Sequence, residues 1–343
     1  MHVLEGIFWN EDQRRLRTLW RLIGHLVILG LIVIVVGGVL GFVVVGWLAA
    51  QGGISPVQLS DPWSLQGLIT DTPMLTLLTS LALAVPLAIG TWLAGRILDR
   101  RPFADFGFHL DRDWWIDFSF GLLLGAMLML IIFVVELALG WVTVTGTLAA
   151  SRPSVRFVPT ILTALVSFVA VGFYEELFSR GYQLKNLAEG LRGSVFGART
   201  AIAAATLLSS LAFGGLHVGN PHATTFSTLS IALAGTMLAT GFLLTGELAI
   251  PIGLHITWNF FQGSVFGFPV SGIDFRSASF LSTEQLGPAL WTGGAFGPEA
   301  GLLGLGAMIL GVLLTTVWVR RRYGRVEVDI SLADAPRRIQ RTS

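Results

Sequence analysis

Residues 157–181 read FVPTILTALVSFVAVGFYEELFSRG. From Phe157 to Tyr174 the stretch carries no charge, and it then meets Glu175, Glu176 and Arg180. With the acids it reaches the roughly 20 residues needed to cross the hydrocarbon of a bilayer. An ionisable group at such depth costs about 2.5–3.5 kcal/mol on insertion scales, so it is a functional candidate by default. Working outward, apolar runs of similar length lie at 22–50, 73–98, 116–141, 200–218, 227–246, 249–268 and 300–319. Together with 157–176 they make eight candidate spans.

Composition agrees with that reading. Of 343 residues, 53% are hydrophobic and 13% charged, against about 25% charged in soluble domains. Mean hydropathy is +0.72. There is too little polar surface to coat a water-exposed globule. The formal charge of +1 gives no bulk attraction for nucleic acid, and the absence of cysteine excludes disulfides, thiolate metal sites and cysteine nucleophiles. The expected fold is all-α, a polytopic, multi-pass integral membrane protein of about eight helices, in the plasma membrane if the source is bacterial.

The arginines orient it. Arg14, Arg15, Arg17 and Arg21 precede the first span; Arg96, Arg100, Arg101 and Arg112 separate the second and third. Arg180, Lys185, Arg192 and Arg199 separate the fourth and fifth, and seven more arginines follow residue 319. Nineteen of the 22 basic residues thus fall on one side of an even-numbered threading, which the positive-inside rule makes cytoplasmic, with both termini there. The expected organisation is a cytoplasmic amphipathic N-terminal segment at 1–21, a membrane domain at 22–319 with a core near 157–268, and a basic, mobile cytoplasmic tail at 320–343. Residues 4–21 are expected to lie as an interfacial helix with Phe8, Trp9, Leu16 and Trp20 toward lipid. Gly37-x-x-x-Gly41 and Gly121-x-x-x-Gly125 have the spacing of close helix contacts.

Three polar clusters interrupt the later spans. Glu175 and Glu176 point about 100° apart on a helix and cannot share an environment. Glu176 and Arg180 stand four apart, the spacing at which an acid and a guanidinium meet, and this leaves Glu175 to face elsewhere. Phe213 and His217 are four apart in the next run, and His255 and Asn259 in the seventh. Singly, each histidine reads as a helix-bridging residue and Glu176–Arg180 as a structural pair. Jointly, Glu175, His217, His255 and Asn259 are expected to converge on one cavity. Convergence requires the fourth helix to continue past Arg180 to about Leu187, so that Glu175 and His217 stand equally far from a turn at 193–197. Glu136 is read as interfacial, and His25, His109 and His222 as near-surface residues.

These residues resemble the CPBP family, the intramembrane CAAX- and bacteriocin-processing endopeptidases that include the Ras-converting CAAX prenyl endopeptidase. Its EExxxR, FxxxH and HxxxN motifs match Glu175-Glu176-x-x-x-Arg180, Phe213-x-x-x-His217 and His255-x-x-x-Asn259, in order, within 165–265. The resemblance implies a helical core opening to the cytosol and hydrolysis of a peptide bond near the membrane. Glu175 would be the general base and His217 would help hold the water. His255 and Asn259 would serve the oxyanion, with Glu176, Arg180 and Phe213 in support. Glu175, His217 and His255 are also the candidate ligands if a zinc ion takes part; a metal-free mechanism is the expectation. The expected partners are membrane lipid and a peptide or protein substrate with a membrane-associated terminus, not nucleic acid. A non-catalytic scaffold or immunity protein, and a transporter or channel, are the rival readings.

Overall fold

The computed structural model describes residues 7–11, 13–50, 72–150, 156–193, 196–275 and 278–336. Its helices are α1 (Thr18–Ala50), α2 (Pro73–Ala94), α3 (Arg112–Ala138), α4 (Phe157–Glu176), α5 (Ala198–Leu216), α6 (Thr225–Thr245), α7 (Ala249–Phe260) and α8 (Leu302–Tyr323). Seven of the eight are long and apolar enough to cross a membrane, by length and composition. The eighth, α7, is short, although a π-helical turn at Phe261–Val265 extends it. The chain is a polytopic, mostly helical membrane protein.

Contacts between helix ends establish the threading. At one end Arg21 meets Asp99 at 2.6 Å, Arg101 meets Glu189 at 2.6 Å, and Arg322 meets Asp113 at 2.6 Å. The same end holds the start of α7, through Leu248 N donating to Gly107 O at 3.0 Å. It also holds the end of α6, whose Leu243 O accepts from Asp329 N at 2.8 Å. At the other end Leu286 N donates to Trp141 O at 2.7 Å, and Asn220 Nδ2 to Ser271 O at 2.9 Å. Each helix therefore runs opposite to the one before it, α7 included, and the arginine-bearing segments gather at one end as the even-numbered threading requires.

Glycine sets the tightest contact. An added Cβ would fall 2.4 Å from Ile250 O at Gly121, 2.3 Å from Leu254 O at Gly125 and 2.4 Å from Phe118 O at Gly253. Backbone meets backbone there, so α3 and α7 are pressed together. Gly37 and Gly41 meet open space; α1 packs beside α2 and turns most of its surface outward. Side-chain caps begin α3, where Asp111 accepts from Trp114 N, and α6, where Thr224 and Ser227 form a capping box.

The structure corrects several expectations. The helix of α1 starts only at Thr18, preceded by a two-residue ladder between Trp9–Asn10 and Arg15–Leu16. Arg15 lies buried against Glu189 rather than on an interfacial helix; residues 1–6 and 12 are outside the described residues. The C-terminal segment is not free as far as Pro336, because Leu332 and Ala333 are buried and Asp334 O accepts from Arg101. His25 is buried, its ring 3.7 Å from that of Tyr182. Glu136 is buried too, accepting from Gln285 Nε2 at 2.9 Å. The 268–299 connection contributes strand β2 (Ala278–Gln285), antiparallel to β1 (Val142–Ala150). Nothing in its apolar pattern foretold that pairing, because the faces of both strands are mixed.

Candidate active site

The decisive local feature is how α4 continues. The helix does not stop at Glu176 but runs as a π-helix over Leu177–Leu184 and as an α-helix over Lys185–Leu191. The span is therefore continuous from Phe157 to Leu191, which meets the depth condition set by the turn near residue 196. A π stretch widens the helix and recurs at functional sites; no residue pattern announced it.

At its start the two glutamates part. Glu176 is fully buried, and its Oε1 accepts from Arg180 Nη1 and from His255 Nδ1, each at 2.8 Å. Arg180, also buried, donates through Nη2 to Gly235 O at 2.9 Å, and its guanidinium lies 4.4 Å from the centre of the Phe213 ring. An added Cβ at Gly235 would stand 3.2 Å from that Nη2, so α6 has no side chain where the arginine reaches it. Glu176 and Arg180 thereby tie α4 to α6 and α7. Glu175 instead turns toward open space, 21% exposed, with Oε2 at 3.9 Å from His255 Nε2.

His217 caps the C-terminus of α5, where the helix ends at φ −95°, ψ 0°. Its Nδ1 lies 2.8 Å from Phe213 O. A carbonyl only accepts, so Nδ1 carries the proton and Nε2 is left free. The Phe213 ring stands 5.0 Å from the His217 ring and 6.3 Å from that of His255. Phe213 thus holds one histidine by its carbonyl and covers the arginine with its face.

Glu175, His217, His255 and Asn259 all line one cavity of about 680 Å³, together with Thr76, Thr79 and Ser80 of α2 and Ser271 of the connection before β2. Apolar residues such as Leu83, Phe168, Phe178 and Phe275 make much of the remaining wall, with Tyr174, Ser179 and Asn220 among them. A smaller recess of about 40 Å³ continues behind His217, His255 and Asn259 as far as Glu299. Nothing in the sequence pattern pointed to Glu299, which lies in a glycine-rich connection without periodicity. It is 4% exposed and accepts from Gln262 Nε2 and the backbone N–H of Ser271. Burial pushes its carboxyl up to about 7.

The three candidate zinc ligands do not form a ligand set. Among the described residues no three His, Asp or Glu side chains are grouped to hold an ion. Both histidines engage Nδ1 with protein acceptors, which leaves the Nε2 atom of each for other partners. The chemistry available is that of a partly exposed carboxylate, two imidazoles with Nε2 free and an amide around a cavity.

Comparison with known proteins supports the same segment. The family model described as type II CAAX prenyl endopeptidase Rce1-like matches residues 157–261, which contain all seven motif residues. Neither the curated proteins nor the solved structures give a match. Through the core formed by α4 to α7, this chain is similar to the CAAX proteases of the Rce1-like type.

Proposed function

We propose that the cavity is the active site of an intramembrane endopeptidase that hydrolyses a peptide bond with water activated by Glu175. One observation carries the reading: a carboxylate, two imidazoles and an amide from three helices line a single cavity inside an otherwise apolar bundle. Structural hydrogen bonding would have paired these groups with one another. Here Glu176 and Arg180 are taken up in packing, while Glu175, 3.9 Å from His255 Nε2, and His217 line the cavity a substrate could fill.

Glu175 takes a proton from water held between its carboxylate and His217 Nε2, and the water oxygen attacks the peptide carbonyl. The new oxyanion is met by the Asn259 amide N–H and by His255 Nε2–H. With Nδ1 donating to Glu176, His255 can also donate through Nε2 only as the imidazolium, and both glutamates face that charge. When the C–N bond breaks, Glu175 returns its proton to the leaving nitrogen, so protons balance over the cycle. In this reading the roles are those of side chains throughout.

The test is turnover by purified full-length protein on the membrane proteins of its host. The wild type should generate new peptide termini, and Glu175→Gln or His217→Ala should abolish them while leaving the unfolding temperature unchanged. New termini from both variants at the wild-type rate would overturn the reading.

A further inference from the structure

The connection between α7 and α8 meets the cavity at a tight turn. Val270 and Ile273 bond to each other through both backbone pairs, each at 2.9 Å, and close the turn around Ser271 and Gly272. Those two residues have φ +49° and +80°, the left-handed pair of a type I′ turn. Glycine takes that conformation freely; serine does so at a cost, and such strain persists only where the surroundings over-determine it. An added Cβ at Gly272 would collide with Pro221 O, so the turn is pressed against the loop that follows His217. Ser271 at its tip lines both the main cavity and the recess behind it.

A chain of hydrogen bonds through this turn runs from one helix of the site to the other. At the end of α5, Asn220 N donates to His217 O at 3.1 Å and Asn220 Nδ2 to Ser271 O at 2.9 Å. Ser271 N then donates to Glu299, whose second carboxylate oxygen accepts from Gln262 Nε2. Gln262 stands three residues after Asn259, in the π-helical turn that extends α7. It is fully buried, and its amide also donates to Pro269 O, where the chain enters the turn. Gly297, at φ +120°, completes the fit: an added Cβ there would crowd Glu299 Oε2, Gln262 Nε2 and Pro269 O together. Gln262, Ser271 and Glu299 all lie beyond residue 261, outside the segment that the family model matches.

We propose that Glu299 is a positioning residue: by fastening the 269–273 turn to the extension of α7, it fixes the separation of His217 on α5 from His255 and Asn259 on α7. It touches no reacting atom itself. The role in turnover rests on the peptidase reading above; the brace between the two helices does not. The need for a brace is physical. The two helices are joined mainly through α6, which lies against both, and α5 ends at His217. A misplacement of about 1 Å between reacting groups can cost on the order of 10²-fold in rate.

Two full-length variants test it. Glu299→Ala removes both acceptors, and Asn220→Ala cuts the chain of bonds at α5, which keeps the test open if Glu299→Ala fails to fold. Hydrogen exchange is followed on peptides covering 269–273 and, as a control, α3. Exchange at 269–273 should be at least about tenfold faster in either variant than in the wild type, and unchanged in α3. Turnover is measured on a peptide spanning the bond that the wild type cuts most often in host membranes. Per folded molecule, kcat should fall by about 10- to 100-fold while KM stays within about twofold. Wild-type exchange at 269–273 in both variants overturns the brace. Faster exchange with an unchanged kcat overturns the positioning role, as does a higher KM alone, which would make the turn a wall of the binding site and nothing more. A wild type that cuts nothing would remove the peptidase reading instead, and exchange, which needs no cleavage, would still decide whether the brace exists.

Discussion

Two regions of this bundle bury glutamate against arginine, and they differ in what is left over. At the arginine-rich end, Glu189 is shared by Arg15, Arg21 and Arg101, while Asp99 takes Arg21. At the centre, Glu176 takes Arg180 and His255, but Glu175 beside it is 21% exposed and faces the cavity with His217. Desolvation is costly in both regions. A buried charge therefore does not identify a reactive site; an unengaged donor or acceptor facing a cavity does. The first cluster locks α1, α2 and α4 and the C-terminal segment together, and the second presents chemistry.

Substitution at one glutamate in each region separates the two roles. Glu175→Gln should lower turnover by about 10²–10⁴-fold, the range of general-base catalysis, with no change in unfolding temperature. If turnover persists, the contrast between the clusters fails. Glu189→Gln should do the opposite: removing one partner from a buried cluster leaves guanidiniums uncompensated, at a cost of about 3–5 kcal/mol in stability. Thermal unfolding in detergent checks it, and the protein that remains folded should keep its turnover. A Glu189 variant as stable as the wild type would show that its three arginine contacts are dispensable.

Glu299 sharpens the comparison, being an acid of the recess behind the site. Burial raises its carboxyl from an ordinary 4.5 to about 7, so the folded state binds its proton more tightly than the unfolded chain. This contribution is fully present below about 4.5 and is lost as pH rises through 7. Stability measured from pH 5 to pH 8 should therefore fall by on the order of 2–3 kcal/mol, since each tenfold difference in proton affinity is worth about 1.36 kcal/mol. Glu299→Gln should flatten that slope. The smallest effect is expected at Arg192–Asp334, whose side chains are 44% and 54% exposed. Asp334→Asn should change stability by less than about 1 kcal/mol, and less still in high salt. A larger loss would mean that the C-terminal segment is held by this pair rather than by burial of Leu332.

The four residues around the cavity were legible because helical spacing is written into the chain. Positions four apart share a face, and a polar group in an apolar run is conspicuous. Adjacent glutamates had to diverge by about 100°, and they do: one is buried and one lines the cavity. The same rule found Gly121 and Gly125 but could not separate them from Gly37 and Gly41, since spacing does not say whether a partner helix is present. Glu299, Ser271 and the pairing of β1 with β2 were invisible because connections have no period to read. Arg15, His25 and Glu136 were assigned to surfaces on position alone, and each found partners from segments distant in sequence.

The sequence by itself determined that this is a helical membrane protein, which end carries the arginines and which polar side chains stand in its apolar runs. All of these follow from local hydropathy, charge counting and the 3.6-residue repeat. Only the tertiary structure decided that α4 continues as a π-helix beyond Glu176, which glutamate is bound to Arg180, and where the cavity lies. Those outcomes depend on helix packing, through backbone contacts at glycines and hydrogen bonds between segments far apart in the chain, which no local pattern encodes.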